Sequence, residues 1–132
     1  MINSTLVQLA RFTLSGFANT GMGLAAIYIA MALGGQYIIA NALGYAIGLV
    51  CSFFINRVWT FKVKSKHAHK DILPFVVLAL TAYALNLATV VSLVEVLRIP
   101  APQSQLAGVV VYAICSFLGM KYIVFSADRS TE

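Results

Sequence analysis

Four long apolar stretches dominate this sequence, at residues 12–33, 37–55, 72–94 and 106–124. A helix needs about 20 apolar residues to cross the hydrocarbon core of a bilayer, and each stretch is close to that length. Lipid offers no hydrogen bonds to an open backbone, so such spans form helices. The sequence therefore predicts an all-α integral membrane protein with four transmembrane helices, organised as one domain over residues 1–132.

The composition argues against an enzyme. Hydrophobic residues make up 61% of the chain and charged residues only 10%, against about 25% charged in an average globular domain. A nucleotide-sugar transferase usually holds its metal and diphosphate with clustered carboxylates, and the chain has four acidic residues in all. Both histidines lie in one basic loop and both cysteines lie in apolar runs. We expect no catalytic residue, no metal site and no cofactor.

The distribution of lysine and arginine predicts the orientation. One side of the membrane carries eight of these residues, and Arg98 alone falls on the other; the eight are Arg11, Arg57, Lys62, Lys64, Lys66, Lys70, Lys121 and Arg129. The positive-inside rule then places both termini and the central loop in the cytoplasm. We expect a multi-pass protein of the cytoplasmic (inner) membrane whose basic face meets anionic lipids rather than nucleic acid. No cleavable signal sequence is expected at its start.

The chain contains an internal repeat. Residues 51–61 align with residues 115–125 at an offset of 64, with four identical positions, and Arg57 falls opposite Lys121. Each half would be a two-helix hairpin, so both halves must cross the membrane in the same sense. This predicts two hairpins in a parallel repeat about an axis along the membrane normal.

Polar residues within the spans are costly and therefore informative. At about 100° per residue, the second span carries a polar stripe that we expect to face the bundle interior, formed by Asn41, Tyr45, Gly48, Ser52, Asn56 and Trp59. Asn19 and Asn86 lie within the first and third spans. These residues could serve helix packing or line a polar cavity for a ligand headgroup. Trp59 could also belong to an interfacial aromatic belt.

Three cations stand at the basic ends of three different spans: Arg11, Arg57 and Lys121. They could be interfacial anchors, or they could form a clamp for a phosphate group, which arginine binds through paired donors. On an ideal helix Arg57 lies about 160° from the polar stripe. A clamp therefore requires that the helices loosen near Asn56 and Met120, or that the side chains curl around.

Several short motifs resemble the GtrA-like membrane protein family over residues 7–126. They are Arg11-Phe12 with Gly16 and Asn19, Ala40-Asn41-Ala42, and Ser52-Phe53-x-x-Asn56-Arg57-x-Trp59-Thr60-Phe61. The resemblance implies a role in cell-surface polysaccharide or glycolipid synthesis. Such proteins are thought to move polyprenyl-phosphate-linked sugars across the cytoplasmic membrane or to accompany the glycosyltransferases that make them. It also implies functional roles for Arg11, Asn19, Asn41, Ser52, Asn56, Arg57 and Trp59.

The leading hypothesis is a translocase (flippase) for an undecaprenyl-phosphate sugar. Arg11, Arg57 and Lys121 would bind the lipid phosphate, and the headgroup cavity would be lined by Asn19, Asn41, Tyr45, Ser52, Asn56, Trp59 and Asn86. Gly119-Met120-Lys121 stands where a second Asn-Arg would fall, which favours a site in the first half. The alternative is a scaffold that positions a membrane glycosyltransferase through the basic loop. Because four helices make a thin bundle, we also expect a homo-oligomer.

Overall fold

In the computed structural model, which describes residues 2–126, the chain forms four helices. They are α1 (Ile2–Ala32), α2 (Tyr37–Ile55), α3 (His69–Val91) and α4 (Ala101–Gly119). The helices α2, α3 and α4 are each extended by one π-helical turn, at Asn56–Thr60, Ser92–Val96 and Met120–Val124 respectively. All four are long and apolar enough to cross a membrane. The all-α fold with four candidate spans is confirmed; the orientation stays a prediction, and Arg129 lies outside the described residues.

Three helices begin earlier than the hydropathy predicts, and the difference is smallest for α3, which begins at His69 rather than at residue 72. α1 begins at Ile2 rather than near residue 12, and α4 begins at Ala101 rather than at residue 106. Hydropathy marks only the apolar part of a span, whereas a helix satisfies its own backbone and can continue into polar surroundings. At α4 the prolines help, because Pro102 lies in the first turn, where the amide that proline lacks would have no partner anyway.

The chain divides into two compact units, Met1–Lys64 and Ser65–Glu132, and each is a helical hairpin. In the first hairpin, the sequence predicts that the first span ends at the Gly34-Gly35-Gln36 turn, and α1 does end just before it. Gly34 has a φ of 89°, which glycine adopts without steric cost. The amide of Gly35 donates to the carbonyl oxygen of Ala30 at 2.9 Å and closes the end of α1.

Glycines set the helix packing within each hairpin. In the first, a Cβ placed on Gly44 would lie 2.7 Å from the carbonyl oxygen of Gly23 and would also overlap Ile27. In the second, a Cβ on Gly108 would lie 2.5 Å from Oδ1 of Asn86. Gly44 and Gly108 are related by the offset of 64 residues. Small residues thus allow the same close helix approach in both halves.

Two further features of the hairpins are related by the same offset of 64 residues. Ala40 and Ser104 are fully buried at corresponding positions of α2 and α4. The π turns Asn56–Thr60 and Met120–Val124 also correspond residue by residue. The internal repeat is therefore confirmed within each hairpin, while the parallel axis that relates the halves stays a prediction.

Candidate functional site

The π turn at Asn56–Thr60 ends α2 and brings polar side chains into a buried position. Its hydrogen bonds span five residues instead of four, as in the bond from the Phe61 amide to the carbonyl oxygen of Asn56 at 2.9 Å. The turn is wider than an α-helical turn and rotates the side chains that follow. Asn56, Arg57 and Thr60 are all buried in it.

This turn bears on the clamp hypothesis, which requires the helices to loosen near Asn56 and Met120. Both helices do so, because the π turns begin at those two residues. Arg57 and Lys121 are each buried, with 7% and 5% of their surface exposed. The required loosening is confirmed, and phosphate binding by these cations stays a prediction.

A short hydrogen-bonded chain joins α1 to this turn. The Ser15 hydroxyl lies 2.9 Å from Oδ1 of Asn56 and 2.8 Å from the carbonyl oxygen of Phe12, and its single proton serves one acceptor at a time. Nδ2 of Asn56 donates to the carbonyl oxygen of Ser52 at 2.9 Å and to its hydroxyl at 3.2 Å. Hydrogen bonds among Ser15, Ser52 and Asn56 therefore join α1 to the end of α2 in the first hairpin.

Arg11 contacts the same turn from α1. One guanidinium N–H group donates to the carbonyl oxygen of Trp59 at 3.1 Å, and the guanidinium carbon lies 5.6 Å from the centre of the Trp59 ring. A cation at this distance from an indole ring is attracted by it. These contacts fix the position of Arg11 and leave its other N–H donors available to a ligand.

An open pocket of about 370 Å³ lies beside Arg11. Its lining combines one face of the first turns of α1 with the end of the π turn, and consists of Ser4, Val7, Gln8, Arg11, Thr60, Phe61 and Lys62. Within residues 2–126, three buried side-chain oxygen atoms have no hydrogen-bond partner, and two of them, Gln8 Oε1 and Thr60 Oγ1, belong to this lining. Burying such an atom without a partner costs roughly 1–3 kcal/mol.

The other predicted site residues of the first hairpin lie away from this cluster. Asn19 is partly buried near the middle of α1, where its backbone faces Gly48, and its Oδ1 is the third unpartnered oxygen. Asn41 and Tyr45 are exposed on α2. Asn41 lies about 22 Å from Asn56 along the helix axis, so one headgroup cannot contact both at once.

Two predicted site residues belong to the second hairpin. Asn86 lies against Gly108, as expected for an amide within a span that must face another helix. The ammonium group of Lys121 lies 5.8 Å from the centre of the Phe117 ring and 5.3 Å from that of Tyr122. Lys121 therefore contacts two aromatic rings, whereas Arg11 contacts the Trp59 ring and shares the pocket lining with Gln8 and Thr60.

Sequence reasoning missed four polar residues of this region. Ser15 and Gln8 carry no predicted role, Thr60 appears only within the family motif, and Lys62 appears only among the basic residues. The missed signal is the spacing of Ser4, Val7, Gln8 and Arg11, which share one helical face at i, i+3, i+4 and i+7. It was hidden because the first helix was expected to begin at residue 12.

Comparison with known proteins agrees with the resemblance seen in the sequence. The family model for the GtrA/DPMS transmembrane domain matches residues 11–125, a range that contains every predicted site residue. The uncharacterized membrane protein YngA of Bacillus subtilis (strain 168) is 31% identical over 81 residues. That alignment covers 61% of this chain and 55% of the relative, so the chain spans just over half of that protein's length.

Proposed function

Since the chain belongs to the GtrA/DPMS transmembrane-domain family, we propose that it translocates a polyprenyl-phosphate-linked sugar across the cytoplasmic membrane. Domains of this family are associated with polyprenyl-phosphate sugars and with cell-envelope glycosylation. The observation that carries the proposal is the polar end of the first hairpin. There Arg11 is fixed on the carbonyl of Trp59, beside the buried Asn56 and Arg57. A cation with free donors at the end of a membrane span suits a lipid phosphate.

The proposed path follows the polar residues of the first hairpin. The lipid phosphate enters from the cytoplasmic leaflet and meets Arg11 and Arg57. The sugar hydroxyl groups then exchange hydrogen bonds with Ser52, Asn56 and, further along, Asn19, whose Oδ1 has no partner among the described residues. The isoprenoid tail remains in lipid throughout, so the chain moves only a headgroup and performs no catalysis.

The positions of the acidic residues bear on what drives translocation. The sequence has four, Asp71, Glu95, Asp128 and Glu132, and none lies in the middle of a predicted span. Ion-coupled carriers usually need such a group within the membrane. Translocation is therefore downhill and is driven by consumption of the sugar lipid on the far side.

A scaffold for a membrane glycosyltransferase is the second candidate, and the loop that follows the first hairpin favours it. Lys62, Lys64, Lys66 and Lys70 are all exposed there. Four cations within nine residues would attract an acidic partner surface or anionic lipids. In that case the interior polar residues serve packing only.

Translocation in proteoliposomes tests the proposal. The purified chain alone is reconstituted with a short-chain polyprenyl-phosphate hexose, and the sugar's accessibility from outside is followed over time. We expect fast exchange that Arg57→Ala slows by roughly tenfold to a hundredfold, the value of one hydrogen bond to a charged group. Arg98→Ala removes an exposed cation of the second hairpin that is not part of the proposed path, and is the matched control.

The two candidates give different results in this experiment. No exchange, from a folded chain that still binds the lipid, contradicts translocation and favours the scaffold. A scaffold should lose function in cells when Lys64, Lys66 and Lys70 are neutralised together. A translocase should keep its activity in liposomes after the same change.

A further inference from the structure

The pocket beside Arg11 has the chemistry of an anion site. Two cationic residues, Arg11 and Lys62, belong to its lining, and so does Thr60. Thr60 is 99% buried and its Oγ1 has no hydrogen-bond partner. A hydroxyl group can donate to a phosphate oxygen, and hydrogen bonds to charged groups are the strong ones. A phosphate group would therefore satisfy a donor that the folded chain leaves unused.

Gln8 adds a different requirement. Its Oε1 is buried in the same lining and is also without a partner. An amide oxygen only accepts hydrogen bonds, so it needs a donor that a phosphate diester lacks. A sugar hydroxyl next to the phosphate would supply that donor. The volume of about 370 Å³ falls within the usual range for small-molecule sites, roughly 300–1,000 Å³.

The backbone at Lys62 points to the same conclusion. Lys62 has a φ of 51°, in the left-handed region where glycine is favoured at the end of a helix. The Val63 amide donates to the carbonyl oxygen of Arg57 at 2.9 Å across this residue. Lys62 belongs to the lining of the pocket, so this turn places a cationic residue at the pocket's edge.

We propose that this pocket binds the glycosyl phosphate headgroup, with Arg11, Lys62 and Thr60 on the phosphate and Gln8 Oε1 accepting from a sugar hydroxyl. The assignment rests on the proposed function and specifies where its ligand binds. It adds Gln8, Thr60 and Lys62 to the functional residues. It also places the headgroup at the start of α1, ahead of the residues inside the spans.

Binding is measured through Trp59, which is the only tryptophan in the chain and contacts Arg11. Its fluorescence is followed while the full chain in nanodiscs is titrated with four probes. They are a short-chain prenyl phosphate hexose, the same prenyl phosphate without sugar, phosphatidylglycerol and inorganic phosphate. We expect saturable binding that is tightest for the hexose lipid. Equal affinity for phosphatidylglycerol would overturn the assignment.

Thr60→Val tests the phosphate contact. Because the hydroxyl has no partner in the fold, its removal should leave thermal stability unchanged or higher, while affinity for the hexose lipid falls at least about tenfold. Thr13→Val is the control, since that hydroxyl is exposed and bonds only its own helix at Leu9. Unchanged affinity in a folded Thr60→Val variant would overturn the proposal.

Lys62→Gly and Arg98→Gly form a second matched pair. Arg98 also follows a π turn with a left-handed φ, 58°, and the Ile99 amide closes that turn on Leu93. Both glycine variants should raise the unfolding temperature, since both relieve the same strain. Only Lys62→Gly should weaken binding, by about tenfold. Equal affinity in the two variants would contradict a role for Lys62.

Gln8→Leu tests the sugar contact. The variant should bind the hexose lipid no better than the prenyl phosphate without sugar, because the acceptor for the hydroxyl is gone. If the preference for the hexose lipid persists, the sugar lies elsewhere and this part of the assignment is wrong.

Translocation by the same proteins separates this proposal from the general function. A wild-type chain that binds the hexose lipid in this pocket without moving it contradicts the translocase and supports the site. A chain that moves it while Thr60→Val and Lys62→Gly bind and transport normally contradicts the site and supports the translocase.

Discussion

The turn that ends α2 buries Asn56, Arg57 and Thr60, whereas the corresponding turn that ends α4 buries Met120, Lys121 and Val124. Both turns have the same length, and both close on a phenylalanine amide at 2.9 Å. The backbone feature therefore belongs to the repeat, and both copies bury a cation, whereas Asn56 and Thr60 of the first copy are replaced by Met120 and Val124 in the second. The π turn itself is therefore an element of the fold. Whether such a turn can bind a ligand depends on which residues it contains.

The partners of the two turns differ in the same way. Asn56 is held by the hydroxyl of Ser15 from α1. In the second hairpin Leu78 of α3 packs against Gly119, next to Met120. An apolar contact needs only matching shape, but a buried amide must be hydrogen-bonded. The second hairpin thus has Met120 at the position where Asn56 of the first hairpin bonds Ser15.

Reversing the charge of Arg57, and separately that of Lys121 at the corresponding position of the repeat, should give the largest effect. Arg57→Glu should slow translocation of the hexose lipid by about 100-fold or more, because a carboxylate would repel the phosphate. Lys121→Glu in the second hairpin should slow it by about tenfold at most, since the polar contacts that support the proposal belong to the first hairpin. Exchange rates in proteoliposomes measure both, and equal effects would remove the distinction between the halves.

Replacing the first residue of each turn should show the next largest contrast. Asn56→Leu removes the interhelical bond from Ser15 and both side-chain bonds to Ser52, and should lower the free energy of unfolding by about 2 kcal/mol. Met120→Leu keeps volume and polarity and should cost less than about 1.5 kcal/mol. Unfolding in mixed micelles measures the pair; a smaller loss for Asn56→Leu than for Met120→Leu would contradict the buried network.

Gly44 and Gly108 occupy corresponding positions of the repeat, so replacing each of them compares the helix packing of the two hairpins. Gly44→Ala should destabilise the chain by about 1–2 kcal/mol, since its Cβ would meet the backbone oxygen of Gly23, which cannot move alone. Gly108→Ala should cost less, because the nearest atom is the end of the Asn86 side chain. Unfolding midpoints of both variants decide this, and the reverse order would show that the second hairpin is the more tightly packed.

Loss of the Ser15 hydroxyl should give the smallest effect. Ser15→Ala removes one interhelical hydrogen bond, which within membranes is worth about 0.6 kcal/mol on average. Thr20→Ala on the same helix is the control, because that hydroxyl bonds only to Gly16 within α1. A loss for Ser15→Ala no larger than that for Thr20→Ala would mean that Asn56 does not depend on Ser15.

The fold was predictable from the sequence because membranes restrict the choices. Four apolar stretches allow little besides four helices, and the offset of 64 residues is visible in the identical cysteine, serine and phenylalanine positions. Because Arg57 lies on the wrong side of an ideal helix, the sequence left two alternatives for a clamp, a looser helix near Asn56 and Met120 or side chains that curl around, and the π turns provide the first. These predictions depend on local geometry and on the period of the helix.

The details of the site could not be predicted in the same way. The polar stripe on α2 implied that Asn41 and Tyr45 belong with Asn56, but both are exposed. A periodic pattern gives the direction of a residue on an ideal helix, and the partner helix decides which direction is covered. The pocket residues Gln8 and Thr60 come together only through the early start of α1 and the π turn, and hydropathy reports neither.

Covalent mapping of the bound headgroup tests the central claim, that the first hairpin carries the ligand contacts. A polyprenyl-phosphate hexose with a photoreactive group on the sugar is bound to the reconstituted chain, irradiated, and located by mass spectrometry. The account predicts adducts on residues 4–15 and 56–62, lost on competition with the unlabelled lipid. Competable adducts on residues 116–124 instead, or equally on both segments, would contradict it.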